Sequence, residues 1–244
     1  MKVKIFLFAA LSVFWAQCSK SSSNSIRDIL SKEKTTVNFS SFFDTGNNRE
    51  VTNLDAKIEV SMPKKLAISL KPTDAALKYD KEGEKKTIES LNQYLTSLKS
   101  YTRYVFGFEF DSIQCKVYTT QAFDVIRIIM IDKRDNTYRY MNESYFVSGT
   151  ILKVVDTQIK GKSGDFSEAI KEKITVSLFD ENKMFYKTEE KHNLAEHVMK
   201  LNNEDAFYQM QDAFLFRQFC ADAASKLKDS YPDLFKEQVV PELP

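Results

Sequence analysis

The run Tyr104-Val105-Phe106-Gly107-Phe108-Glu109-Phe110 sets four aromatic rings on one side of the chain and Val105, Gly107 and Glu109 on the other. Side chains alternate with a period of two in an extended strand and nowhere else in regular structure, so the stretch reads as β. The texture persists downstream. Ile113 to Tyr118 continues it, and Ala122 to Ile131 is nearly all apolar, the mark of a strand buried on both faces. Asp132-Lys133-Arg134-Asp135-Asn136 is a polar turn into Thr137 to Met141, and Tyr145 to Ile159 is a long strand ended by Gly161-Lys162-Ser163-Gly164-Asp165. Ile174, Val176 and Leu178 then alternate with Lys173, Thr175 and Ser177, and Asp180-Glu181-Asn182 turns into Met184 to Lys191. Strand-forming runs joined by short turns predict an antiparallel meander.

Upstream, Thr35 to Phe43 and Val51 to Ser61 read as two strands separated by the turn chemistry of Asp44 to Asn48, with a shorter strand at Leu66 to Leu70. After the charged loop Asp80 to Lys86, Ile88, Leu91, Leu95 and Leu98 recur at spacings of three and four, which is one face of a helix. A second, longer helix covers 203–229. It carries two apolar stripes, one through Phe207, Met210, Phe214, Ala221 and Ala224, the other through Phe216, Phe219, Cys220, Ala223 and Leu227. The element order predicts an α+β fold: a mostly antiparallel β-sheet with two main helices (about 87–101 and 203–229) packed on one face. A helix lying on a sheet needs one stripe. The second is either closed inside the chain or turned outward, which makes Phe216, Phe219 and Leu227 a candidate partner-facing surface.

The chain opens differently. Lys2 and Lys4 precede an unbroken apolar run from Ile5 to Ala16, followed by Gln17 and Cys18. A positive start and a short hydrophobic core describe a secretory signal peptide, and the run is shorter than the roughly 20 apolar residues of a membrane span. The cysteine closing the run resembles the lipobox of bacterial lipoproteins, in the relaxed form seen in spirochaetes. Ala16 and Cys18 fit that box, whereas Trp15 and Gln17 stand where the strict form has leucine and a small residue. The resemblance covers the first eighteen residues and implies cleavage before Cys18, acylation of Cys18 and a membrane anchor; several acyl chains hold a protein stably where one does so marginally. Ordinary secretory cleavage near Ala16 to Ser19, leaving a soluble chain, is the alternative. Ser19 to Ser25 holds no apolar residue and reads as a solvated leash. The expected organisation is a signal peptide at 1–17, a lipidated N-terminus and tether at 18–34, and one α+β domain at 35–244. Serine after Cys18, by analogy with enteric sorting, points to the outer membrane rather than the inner.

Composition narrows the function classes. The precursor carries 35 basic and 34 acidic residues without a basic block, so no nucleic-acid footprint is present. The body cysteines, Cys115 and Cys220, are candidates for one disulfide in an exported chain, or for two buried thiols acting as small apolar groups. Gly161-Lys162-Ser163 has Asp156 where a phosphate loop needs its first glycine, and His192 and His197 are five apart where a helical zinc pair is four apart. No nucleophile elbow or dinucleotide-binding glycine pattern exists, so no catalytic residue, metal or cofactor is assigned. The order of elements from Ser148 to Leu227 is loosely similar to the small α+β domains of periplasmic assembly and transport-auxiliary lipoproteins, which implies a non-enzymatic role. Two forms of that role follow, with an unrecognised hydrolase, for which no constellation of residues is visible, as the remaining alternative. One is binding another cell-envelope component through the second stripe; the other is carrying a lipid or other apolar ligand on the aromatic strands Phe106, Phe108 and Phe110.

Intact mass of the membrane-extracted mature protein tests the anchor. The expected species begins at Cys18 and carries the added mass of acyl chains, which the Cys18→Ala variant lacks; a chain beginning near Ser19 without lipid would make it a soluble exported domain.

Overall fold

The computed structural model describes residues 31–64, 71–162 and 164–236. The expected signal segment, Cys18, the leash Ser19–Ser25 and the expected strand Leu66–Leu70 lie outside the described residues. The chain forms β1 (Lys34–Asp44), β2 (Arg49–Ser61), helix α1 (Lys81–Tyr101), β3 (Tyr104–Phe110), β4 (Ile113–Thr119), β5 (Val125–Asp132), β6 (Tyr138–Val147), β7 (Thr150–Lys162), β8 (Asp165–Asp180), β9 (Lys183–Lys191), β10 (His197–Val198) and helix α2 (Asn203–Ser230). All ten strands join one antiparallel sheet in the order β10-β9-β8-β7-β6-β5-β4-β3-β1-β2. The α+β class and the meander are as read from the sequence.

Three hairpins of the meander are closed by two-residue turns whose residues both have positive φ: Asp111-Ser112, Ser148-Gly149 and Glu181-Asn182. That geometry matches the right-handed twist of the flanking strands and locks the register. The one departure from sequential neighbours is β1, which lies between β2 and β3. The chain leaving β2 travels to the far side of the sheet, where residues 75–77 pair with Met184 (Met184 N–H to Ala75 O, 2.8 Å; Leu77 N–H to Met184 O, 2.7 Å). Helix α1 then crosses back over the strands to deliver β3 beside β1.

Helix α1 begins at Lys81, six residues before its expected start. Asp80 caps it, accepting from the Gly83 N–H at 2.7 Å, and Glu82 and Glu84 lie in the first turn, where negative charge meets the positive end of the helix. This first turn carries no apolar residue, so periodicity left it as a loop. Tyr79 hydrogen-bonds Asp180 and packs on Phe185 with ring centroids 5.4 Å apart, pinning the start of α1 to the β8–β9 turn. Arg103 N–H to Thr119 O (2.8 Å) and Thr45 Oγ1 to Thr102 O (2.7 Å) pin its end.

The two helices lie on opposite faces of the sheet, not on one. Phe219 of α2 packs on Phe108 and Phe110, with centroids 6.4 and 5.1 Å apart, and Phe214 packs on Phe146. These belong to the main core, which runs from β1 to β9. Helix α1 meets the other face, where Leu91 joins Leu178 and Phe185 in a separate, smaller core. The physical reason is in the strands themselves. Val105 is buried beside Phe106, and Ile126 beside Val125, so both faces are apolar and both need cover.

Helix α2 also crosses the strands. Gln209 bonds Asp156 of β7 (3.0 Å), Arg217 bonds the Val125 carbonyl of β5 (3.2 Å) and Lys226 bonds the Glu59 carbonyl of β2 (3.1 Å). The 3-10 turns Pro72–Asp74 and Pro232–Phe235 close against its flanks. Both of its stripes are therefore inside: Phe216, Phe219 and Leu227 are 2%, 0% and 0% exposed. The proposed partner-facing surface is core.

Deleting a fully enclosed ring leaves a cavity that rigid neighbours only partly refill. Phe219→Ala is expected to lose about 3–5 kcal/mol of stability, measured by urea unfolding of the purified domain; a loss below about 1 kcal/mol would return the stripe to the surface.

Candidate functional site

The face under α1 is built in rows set by strand register. In the row nearest the helix, Phe43 pairs with Val105, Val105 with Tyr118, Tyr118 with Arg127, and Arg127 with Tyr145. In the next row Ser41 pairs with Gly107, Gly107 with Lys116, Lys116 with Ile129, and Ile129 with Glu143. The first row, together with Ser41 and Lys116 of the second, forms the floor of a recess. A Cβ at Gly107 would lie 2.2 Å from Ser41 Oγ, so the two residues are packed close at that point.

Helix α1 roofs this recess without filling it. Leu91 and Leu98 are its only buried residues, and Leu95 is half-buried. Between Leu95, Leu98 and Lys99 above and the strands below lies a cavity of about 450 Å³. Phe43, Val105 and Ile126 supply the apolar wall, and Ser41, Thr45, Thr102 and Tyr118 place hydroxyls along it. The size falls within the range of small-molecule pockets, as does the mix of apolar lining and few polar groups.

Arg127 is the fixed polar centre of the floor. Its Nε donates to Glu143 Oε1 at 2.7 Å, a second guanidinium nitrogen reaches the same oxygen, and the Tyr145 hydroxyl donates to it at 2.5 Å. The guanidinium lies over the rings of Tyr118 (4.9 Å) and Tyr145 (5.4 Å), within cation–π range. Burial by itself would lower the Arg127 pKa, but Glu143 and the two tyrosines outweigh it and hold the guanidinium above its ordinary value. Burial, reinforced by the bond to Glu143, pushes the Tyr145 hydroxyl up. Lys99, in the last turn of α1, and Lys116, on β4, are exposed at the cavity and have no carboxylate partner among the described residues; Lys116 lies 5.8 Å from the Tyr118 ring.

The residues singled out from sequence fall elsewhere. Phe106, Phe108 and Phe110 point to the α2 face and are packed core, not cavity wall. Their alternate Val105 lines the cavity instead. Cys115 and Cys220 are free thiols in the main core, not a disulfide. Burial pushes both thiols well above their ordinary pKa, and Cys220 adds to the shift of Cys115; both serve as small apolar groups of one core. His192 and His197 are exposed beside the β9–β10 turn, and no cluster of three metal-ligating side chains occurs among the described residues. Among those residues no helix is long and apolar enough to cross a membrane. Arg127 had a signal in the sequence, as the one charged residue inside Val125–Ile131. Nothing in the sequence marked Ser41 or Lys99. Compared with known proteins, the chain matches no family model, no curated protein and no solved structure.

The raised Tyr145 has a testable sign. Its contribution to stability is complete below the unfolded tyrosine value of about 10 and is lost as pH rises through the folded value. In an alkaline ultraviolet titration Tyr145 should ionise after exposed tyrosines; Glu143→Gln should bring it down, and Arg127→Met should carry it higher. Unchanged titration in both variants would dissolve the triad.

Proposed function

We propose that this is a non-enzymatic binding protein of a bacterial envelope, held on a membrane through lipid on Cys18, that carries a lipid or other apolar ligand. The observation behind this reading is the cavity of about 450 Å³ between α1 and the sheet, roofed by a helix with only two buried residues. A helix whose role was cover alone would gain from filling that volume, since an empty apolar space forfeits contacts on every side. Binding another envelope component is the weaker reading, because Phe216, Phe219 and Leu227 are enclosed and offer it no surface. The outer membrane is the expected site, on the serine that follows Cys18.

Native mass spectrometry of the purified mature chain, with organic extraction, tests the carrier. A bound apolar molecule is expected in the wild type and absent in Ser41→Trp, whose indole would take up the volume of the cavity that Ser41 lines. A chain that purifies empty and takes up no fluorescent apolar probe, or one equally loaded in Ser41→Trp, would remove the reading.

A further inference from the structure

We infer that the ligand is an acyl-chain amphiphile with a single anionic head, a carboxylate or a phosphate, whose head sits on Lys99 and Lys116 while its chain lies under Leu95 and Leu98. The inference rests on the carrier reading and adds the chemical class.

The charges of the lining carry it. Arg127 is engaged: two of its nitrogens meet Glu143, and its flat faces are covered by the rings of Tyr118 and Tyr145. Lys99 and Lys116 are not. One hangs from the helix roof and the other rises from the strand floor, in the row just outside Tyr118, so the cavity is flanked by two unpaired cations from opposite walls. Glu50 is the only unpaired acid of the lining, and it enters from β2, paired in register with Phe43 at the opposite end of the first row from Arg127. An apolar cleft with low-dielectric walls strengthens the pull of cations at its edge, and an anion held there forms charge-assisted hydrogen bonds at the ammonium groups. A neutral apolar ligand would leave both lysines unused. A cationic one would meet two like charges. The wall behind them is Phe43, Val105, Ile126, Leu95 and Leu98, suited to a methylene chain and to nothing that needs many hydrogen bonds.

Competition for a fluorescent apolar probe bound to the mature chain decides it. Dodecanoate, dodecyl phosphate, dodecanol and dodecyltrimethylammonium share one chain and differ in head, and each is used below its micelle concentration. Dodecanoate or dodecyl phosphate should displace the probe at about tenfold lower concentration than dodecanol, and the ammonium compound should be weakest. The tighter of the two anions names the source of the head, a free acid or a phospholipid-derived amphiphile. In the variant Lys99→Gln with Lys116→Gln, both exposed positions, the preference for anions should vanish while dodecanol binding is kept. Equal binding of all four heads, each lost in Ser41→Trp, would overturn the head assignment and leave the carrier standing. A probe that never binds the wild type would overturn both.

Discussion

Ten antiparallel strands with apolar side chains on both faces impose the constraint on which this molecule depends. A sheet made as a meander joins its strands by short turns and so has no crossover helices to cover it. Cover must come from the two places where the meander is interrupted: the link from β2 to β3, and the C-terminal segment. The first supplies α1 and the second supplies α2. Each crosses the strands instead of running along them, because each must reach across many strands at once. Helix α2 is long and apolar around most of its circumference, and it seals its face. Helix α1 is amphipathic with a narrow stripe, and it does not. The cavity is the residue of that inequality.

Polar groups inside the fold follow the same division. Under α2, Asn142 bonds Asp156 at 2.8 Å, Gln209 reaches the other oxygen of Asp156 at 3.0 Å, and Ser144 donates to Asn142. These bonds satisfy buried groups and also fix where the helix sits along the sheet, a register that apolar contact alone leaves free. Asp44, 1% exposed, likewise holds the Gly46 and Asn47 amides and the Arg103 guanidinium, tying the β1–β2 turn to the start of β3. Under α1 the one comparable group is Arg127 with Glu143 and Tyr145. It fixes nothing of the helix, and it lines open space. A charged group held rigid beside a void, with its rings stacked, shapes a site more than it stabilises a fold.

Much of this was legible in particular residues. Tyr104 to Phe110 declared a strand, Asp180-Glu181-Asn182 declared a hairpin, and Leu91, Leu95 and Leu98 declared the inner side of α1. Other elements were misread for physical reasons. The first turn of α1 is entirely polar, so its cap at Asp80 was the only cue. The aromatic rings of β3 stand out in a sequence because size is visible there, whereas the cavity lies on the opposite face of the strand, at Val105. Emptiness has no letter. The second stripe of α2 has no visible partner in the sequence because the rings it packs on, Phe108 and Phe110 of β3, are more than a hundred residues away.

The sequence by itself determined the strands, the turns that join them and the two helices, because each depends on the local period of apolar residues and on backbone preferences a few residues long. Tertiary structure alone decided which face each helix took, that Phe216 and Phe219 are core, that Cys115 and Cys220 are free thiols of one core, and that Ser41, Val105, Arg127 and Lys99 border one cavity. Those depend on strand order and register, and register places residues from six elements side by side through pairings that no local pattern encodes.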